Sequence, residues 1–234
     1  MKSDFLIVSF CSFDLVNIAM NWVAFLKDHK IENYLIVSMD QETFDFLIQQ
    51  KVNTKFIAGK ILKRSGTGWR FRFETMYELL KNQSILHCDL DAVWLKDARE
   101  LLDDDNDIIV SMDTGGWPPL TYERIGFTMC MGWVFLKSNV EVLKMCSDIL
   151  TTDSDFDDQQ EFNDYISSKV KESDIYIKSN NEKILKADGM SIRVLRDLDV
   201  YRGDYDESSY VCHPLMKKKA SKEVQLKKRK LWKL

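Results

Sequence analysis

The chain has 234 residues, 45% of them hydrophobic, and a formal net charge of -4. That length favours one sizeable core over two, and no apolar run approaches the ~20 residues that cross a bilayer. The stretch before Lys217 is acidic, with 24 basic against 36 acidic residues, which excludes general nucleic-acid binding because that depends on neutralising phosphates.

Phe5 to Phe10 is a short β-branched apolar run, and Asp14 to His29 then places Leu15, Ile18, Trp22, Phe25 and Leu26 at helical spacing. Tyr34 to Met39 predicts a second strand, Glu42 to Gln50 a helix and Thr54 to Ala58 a third strand. Such alternation predicts an α/β fold, a mostly parallel central sheet flanked by helices. Trp69 to Lys81 reads as a helix, Ser84 to Cys88 as a buried strand, Asp107 to Met112 and Gly132 to Leu136 as strands, and Val140 to Leu150 and Phe156 to Val170 as helices. The segment up to His213 reads as mixed strand and loop. No linker breaks the chain before residue 216, so residues 1–215 are expected to form one domain and 216–234 a basic C-terminal tail.

Five scattered cysteines, odd in number and never in a C-x-x-C pair, argue against a disulfide framework or a zinc site. No cleavage site follows Met1-Lys-Ser-Asp4, and a reducing cytoplasm is the expected compartment. Acidic D-x-D doublets recur at Asp105, Asp155, Asp197 and Asp204, and most of these read as solvated loop acids. Asp89-Leu-Asp91 differs: an apolar strand delivers it and Ala92-Val-Trp-Leu95 follows, so its carboxylates stand at the edge of a core, at a cost that a cation can offset. Two carboxylates so spaced can share one hard divalent ion. The competing reading makes the pair a cap for a helix starting near Asp97.

Asp89-Leu-Asp-Ala-Val-Trp-Leu-Lys-Asp97, with Asn21-Trp22 and Val37-Ser-Met-Asp40 upstream, resembles the nucleotide-diphospho-sugar transferases of the A-type glycosyltransferase fold, akin to glycogenin-like and lipooligosaccharide galactosyltransferases. The resemblance spans most of residues 5 to 219. It implies a metal site of Asp89, Asp91 and His213, with manganese preferred over magnesium because imidazole joins the carboxylates. It also implies that Arg72 lies near the acidic motif and the donor, that Asp158 and Gln159 of Asp158-Gln-Gln-Glu-Phe-Asn163 face the donor sugar, and that Asp113 hydrogen-bonds the sugar. His213-Pro-Leu-Met-Lys-Lys-Lys219 matches a pattern in which the lysine, here Lys219, binds the diphosphate. By the same analogy the nucleotide base lies near Phe10, Cys11 and Ser12. Cys130-Met-Gly132 departs from the usual Asn-x-Gly and leaves the sugar open.

The implied activity is metal-dependent transfer of a sugar, with retention, from a nucleotide diphosphate, a UDP-sugar first, to a hydroxyl on a glycan, glycolipid or glycoprotein. The alternatives are a nucleotidyltransferase, although Phe10-Cys-Ser-Phe13 lacks the glycine of a phosphate loop, and a non-catalytic nucleotide-sugar-binding domain. Lys217 to Leu234 interleaves nine basic residues with Leu226, Leu231 and Trp232, a pattern that suits peripheral contact with an anionic membrane as well as it suits a disordered solubilising tail.

Overall fold

A computed structural model describes residues 5–57, 66–152, 156–178, 181–202, 207–214 and 222–234. The first half alternates as its periodicity predicts: β1 (Phe5–Cys11), α1 (Val16–Asp28), β2 (Tyr34–Ser38), α2 (Gln41–Gln49), β3 (Thr54–Phe56), α3 (Gly66–Leu80) and β4 (Ser84–Cys88). Then come β5 (Val93–Trp94), β6 (Ile108–Asp113), α4 (Pro119–Ile125), β7 (Thr128–Leu136), α5 (Val140–Leu150) and α6 (Asp158–Lys169). The chain continues with β8 (Ile175–Ile177), β9 (Lys183–Ala187), β10 (Met190–Val194), β11 (Val200–Tyr201), β12 (Val211–Cys212) and α7 (Lys222–Lys228).

Nine strands form one sheet in the order β3-β2-β1-β4-β7-β6-β10-β9-β8. The strands β3, β2, β1 and β4 run parallel, β7 runs antiparallel between β4 and β6, and β10 returns to parallel pairing with β6. Alternate residues of β1 feed opposite layers, as the strand period requires. Phe5, Ile7 and Cys11 pack with Trp22, Val23 and Leu26 of α1, whereas Leu6 and Val8 pack with Phe73 and Met76 of α3, Met145 of α5 and Phe162 of α6.

Gly132 to Leu136 is only the second half of β7. Between Val110 and Ser111 the β6–β7 register slips, so Val110 faces Val134 while Ser111 faces Cys130. The residues left without a β6 partner, Met131 to Trp133, form an irregularity of the kind that re-aims a strand beside a functional site. Ser111 Oγ lies 3.2 and 3.3 Å from the carbonyls of Cys130 and Trp133, and its one hydrogen is shared between the backbone groups that the slip strands.

The described part of the basic tail does not hang free. Leu226 and Leu231 are fully buried in the α1 layer, and Trp232 packs against it. Asn21, itself buried, clamps the segment: its Nδ2 donates to the Leu231 carbonyl at 3.0 Å and its Oδ1 accepts from Lys233 N–H at 2.7 Å. The membrane and disordered-tail readings therefore lose their basis, because the leucines they rely on lie inside the core. The boundary expected after residue 215 lies outside the described residues. No helix among the described residues is long and apolar enough to cross a membrane, and all five cysteines are buried.

Removing a buried leucine side chain costs about 2–5 kcal/mol. Leu231→Ala should thus lower the urea midpoint of the whole chain by a corresponding amount. A midpoint equal to wild type would mean that the C-terminal segment is detached in solution.

Candidate active site

β4 delivers Asp89 and Asp91 beyond the carboxyl end of its strand, the usual ligand position in open α/β sheets. The chain turns at once: Ala92 N–H donates to the Asp89 carbonyl at 2.9 Å, and Asp89 N–H donates to the Gly132 carbonyl at 2.9 Å. Val93–Trp94 then becomes β5, whose partner is β12, with Val93 opposite Cys212 and Trp94 opposite Val211. β12 pairs in turn with β11, and His213 N–H donates to the Tyr201 carbonyl at 2.8 Å. The Val-Trp that follows the acidic pair is thus the strand that fixes His213 beside it.

One ligand atom each from Asp89, Asp91 and His213 lie within 4.8 Å of one another. His213 Nε2 stands 3.6 Å from Asp89 Oδ2 and 3.8 Å from Asp91 Oδ1. Gly132 makes this approach possible: a Cβ there would fall 2.1 Å from His213 Cε1 and 2.8 Å from Asp89 Oδ2. The β7 irregularity therefore brings a residue without a side chain to the one place where none fits.

Charge around the pair is partly compensated. Arg72, only 8% exposed, places Nη1 3.0 Å from Asp89 Oδ1 and donates from Nε to Asp158 Oδ2 at 2.6 Å. It is not a solvated helix-face arginine. Burial alone would raise the Asp89 carboxyl, but the His87 ring and the Arg72 guanidinium outweigh it and hold the acid well below the usual carboxylate range. Burial pushes Asp158 the other way, up, against the pull of Arg72. Lys222 Nζ lies 2.9 Å from Asp91 Oδ2. Burial would lower this lysine, yet Asp91 and Asp89 dominate and keep it an ammonium. Asp91 Oδ1 remains buried and without a hydrogen-bond partner, a costly condition for a carboxylate.

His213 is pulled down to about 4 by burial and by Arg202, against Asp91 and Asp89, so the ring is neutral at neutral pH, the form that ligates metals. Arg202 Nη1 lies 2.8 Å from both His213 Nδ1 and Cys130 Sγ, and Nη2 lies 3.3 Å from Asp113 Oδ1. A guanidinium only donates, so here Nδ1 accepts and the ring proton sits on Nε2. Burial pushes the Cys130 thiol up to about 11 despite Arg202. The place where an amide was expected is therefore filled by an apolar thiol, and its polarity comes from Arg202.

α6 begins one residue after Asp157, which caps it by accepting from Gln160 N–H at 2.9 Å. That frees Asp158 and Gln159 to face the cleft. Gln159 Oε1 accepts from Met131 N–H at 3.3 Å and Nε2 donates to the Trp117 carbonyl at 3.2 Å, while Asn163 exchanges two 2.8 Å bonds with the Met129 backbone. Asp113, at the end of β6, accepts from Trp117 N–H at 3.2 Å. A cleft of about 340 Å³ is lined by Trp69, Arg72, Asp89, Asp91, Trp117, Asp158, Gln159 and His213, with Arg202 and Lys222 beside them.

The geometry thus brings together Asp89, Asp91, His213, Arg72, Asp158 and Gln159, with Asp113 tied to the group through Arg202. Phe10, Cys11 and Ser12 close β1 but do not line this cleft, and Lys219 lies outside the described residues. Asp97, not the acidic pair, caps the short 3-10 turn at Ala98–Leu101, accepting from Arg99 N–H. Other doublet acids serve the scaffold instead of lying solvated: Asp107 accepts from Ser191 N–H at 2.8 Å, and buried Asp199 pairs with Arg196. Sequence reasoning missed Arg202 and Lys222, whose neighbours in the chain carry no motif. It also missed His87, which stood two residues before Asp89 as the only polar member of Ile85 to Cys88.

The sequence model of the nucleotide-diphospho-sugar transferase family matches residues 29–227. No curated protein sequence gives a significant match. Among solved structures, the apo form of the bifunctional glycosyltransferase WbbM shares 14% identity over 70% of this chain and 37% of its own, at a TM-score of 0.50. The galactosyltransferase LgtC, in complex with donor and acceptor sugar analogs, shares 13% over 67% of this chain and 68% of its own, at 0.46. GlyE of Streptococcus pneumoniae TIGR4 shares 13% over 83% of this chain and 46% of its own, at 0.48. The chain therefore spans less than half the length of WbbM and of GlyE, and likeness at such identity speaks to fold alone. The family match extends over most of the chain and includes the acidic pair and His213, and the chain belongs to the nucleotide-diphospho-sugar transferase family.

Proposed function

We propose that the chain moves a sugar from a nucleotide diphosphate, a uridine one, to a hydroxyl of a glycan, glycolipid or glycoprotein, with retention of configuration and with a divalent cation, manganese before magnesium, held by Asp89, Asp91 and His213. The observation that carries this reading is Asp91 Oδ1, a buried carboxylate oxygen with no hydrogen-bond partner, within reach of two further ligand groups at an open cleft. A divalent ion bound there would stabilise charge on the departing diphosphate.

The chain's own groups supply the rest. For His213 to ligate through Nε2, its proton must sit on Nδ1, and Arg202 must turn back onto Asp113, its other partner. Arg72 holds Asp89 and Asp158 together and sets the charge at the donor side of the cleft. Asp158 is bound so closely by Arg72 that it makes a poor nucleophile, which favours attack from the leaving-group side, aided by the phosphate, over a double displacement. Gln159 and Asp113 present their remaining hydrogen-bonding capacity to the sugar. Lys219 is the expected partner of the diphosphate.

A screen of nucleotide sugars for metal-dependent hydrolysis or transfer tests this directly. Asp89→Asn and Asp91→Asn should each lower turnover by about 10²-fold or more, the scale of losing one preorganised electrostatic group, and a chelator should abolish activity that Mn²⁺ restores. Donor binding by calorimetry with no turnover under any metal would favour the binding-domain alternative. Gly132→Ala forces a methyl into the space between His213 and Asp89, so its Mn²⁺ affinity should fall by about 10-fold or more, as when a group orienting metal ligands is disturbed. Unchanged Mn²⁺ titration in that variant would place the ion elsewhere.

A further inference from the structure

We infer that Trp117 is the platform on which the acceptor sugar ring stacks, a subsite distinct from the groups that hold the donor. The inference rests on the reading under Proposed function. Trp117 lines the same cleft as Asp89, Asp91 and His213, yet its residue is 49% exposed. An exposed tryptophan on a loop ordinarily signifies little. Here the backbone on both sides of the indole is pinned, and by two residues of the site itself: Asp113 Oδ2 accepts the Trp117 N–H at 3.2 Å, and Gln159 Nε2 donates to the Trp117 carbonyl at 3.2 Å.

The turn that allows this is tight. Gly116 has a positive φ of +68°, which a side chain would resist, and Gly115 stands so close to Asp113 that a Cβ would lie 3.4 Å from its Oδ2. The loop wraps the Asp113 carboxylate and leaves the indole at the mouth of the cleft. Among the described residues Trp117 makes no ring or cation–π contact, whereas Trp69, the other tryptophan of the cleft, has one face covered by Arg72 at 4.4 Å. An indole so held loses little freedom when it binds, which is how large rigid aromatics gain affinity.

The occupant follows from the surface on either side. The cleft floor is charged, with Arg72, Asp89 and Asp158, whereas the strip beyond Trp117 carries exposed Leu120 and Tyr122, and the Tyr122 ring lies close to Gly116. A pyranose has the matching duality: hydroxyls at its edge and an apolar face of C–H bonds that packs on an aromatic ring. One face of the acceptor ring would rest on Trp117 with a hydroxyl turned toward the donor, and Leu120 and Tyr122 would meet the next unit of the chain.

The test is saturation-transfer NMR on the full chain with UDP and Mn²⁺, using the methyl glycosides of galactose, glucose and N-acetylglucosamine as probes. Wild type should transfer saturation to carbon-bound protons on one ring face of at least one glycoside. Trp117→Ala should weaken that signal by about tenfold, the scale of losing one aromatic anchor of a binding surface, Trp117→Phe should retain most of it, and the UDP signal should persist in both. Equal glycoside binding by Trp117→Ala, or no glycoside binding by a wild type that does bind UDP, overturns the subsite. Self-association in sedimentation that Trp117→Ala abolishes would also overturn it, assigning the indole to a second copy. A wild type that binds no UDP at all defeats the donor reading itself, and the subsite with it.

Discussion

Two carboxylates set at the end of a buried strand govern this structure. Asp91 is 2% exposed and Asp89 sits beside it, a concentration of negative charge that a folded chain tolerates only with compensation from outside the strand. Cationic compensation comes from two distant parts of the chain, Arg72 from the helix before and Lys222 from the C-terminal helix, while His213, just after β12, and His87 set their rings against the carboxylates. Each must be delivered by its own piece of scaffold. The three-stranded β11-β12-β5 sheet, the slip in β7 and the docking of the C-terminal segment on Asn21 all serve that delivery.

This dependence explains what was legible in the sequence. The βα alternation of the first half could be read because β1, β2 and β4 are buried on both faces and α1 shows its apolar stripe, so local pattern and tertiary role agree. The acidic doublet could be separated from its rivals because an apolar strand leads into it and Val93–Trp94 follows. The rest depends on pairing across long separations. Nothing near Arg202 announces that it will reach Cys130, and Lys222 lay in a run of lysines from which Lys219 was the one singled out. The tail misled for the same reason: Leu226, Leu231 and Trp232 among basic residues look like an amphipathic surface element until Asn21, some 200 residues earlier, is seen to hold them.

The sugar side of the cleft departs furthest from expectation. Cys130 leaves a neutral thiol where an amide was expected, and Arg202 joins it to Asp113 and His213 in one network. The His213 ring, the orientation of Asp113 and the loop carrying Trp117 are therefore linked through Arg202 to His213 and Asp113, Asp113 to Trp117, and Trp117 to Gln159. A change at His213 has a short physical route to the mouth of the cleft. Such a network also fixes Gln159 and Asp113 in place, the kind of preorganisation that the proposed transfer would draw on.

The central claim is that Asp89, Asp91 and His213 hold one divalent ion against a nucleotide diphosphate. Phosphorus NMR of UDP titrated with the protein and Mn²⁺ tests it most directly, because a paramagnetic ion relaxes only the phosphorus nuclei close to it. The account predicts relaxation of both phosphates beyond that of the free Mn²⁺–UDP complex, an excess that saturates at one ion per chain and is lost in His213→Ala. Diphosphate binding that proceeds equally well without Mn²⁺, or a protein-dependent excess that survives loss of the histidine, would contradict it.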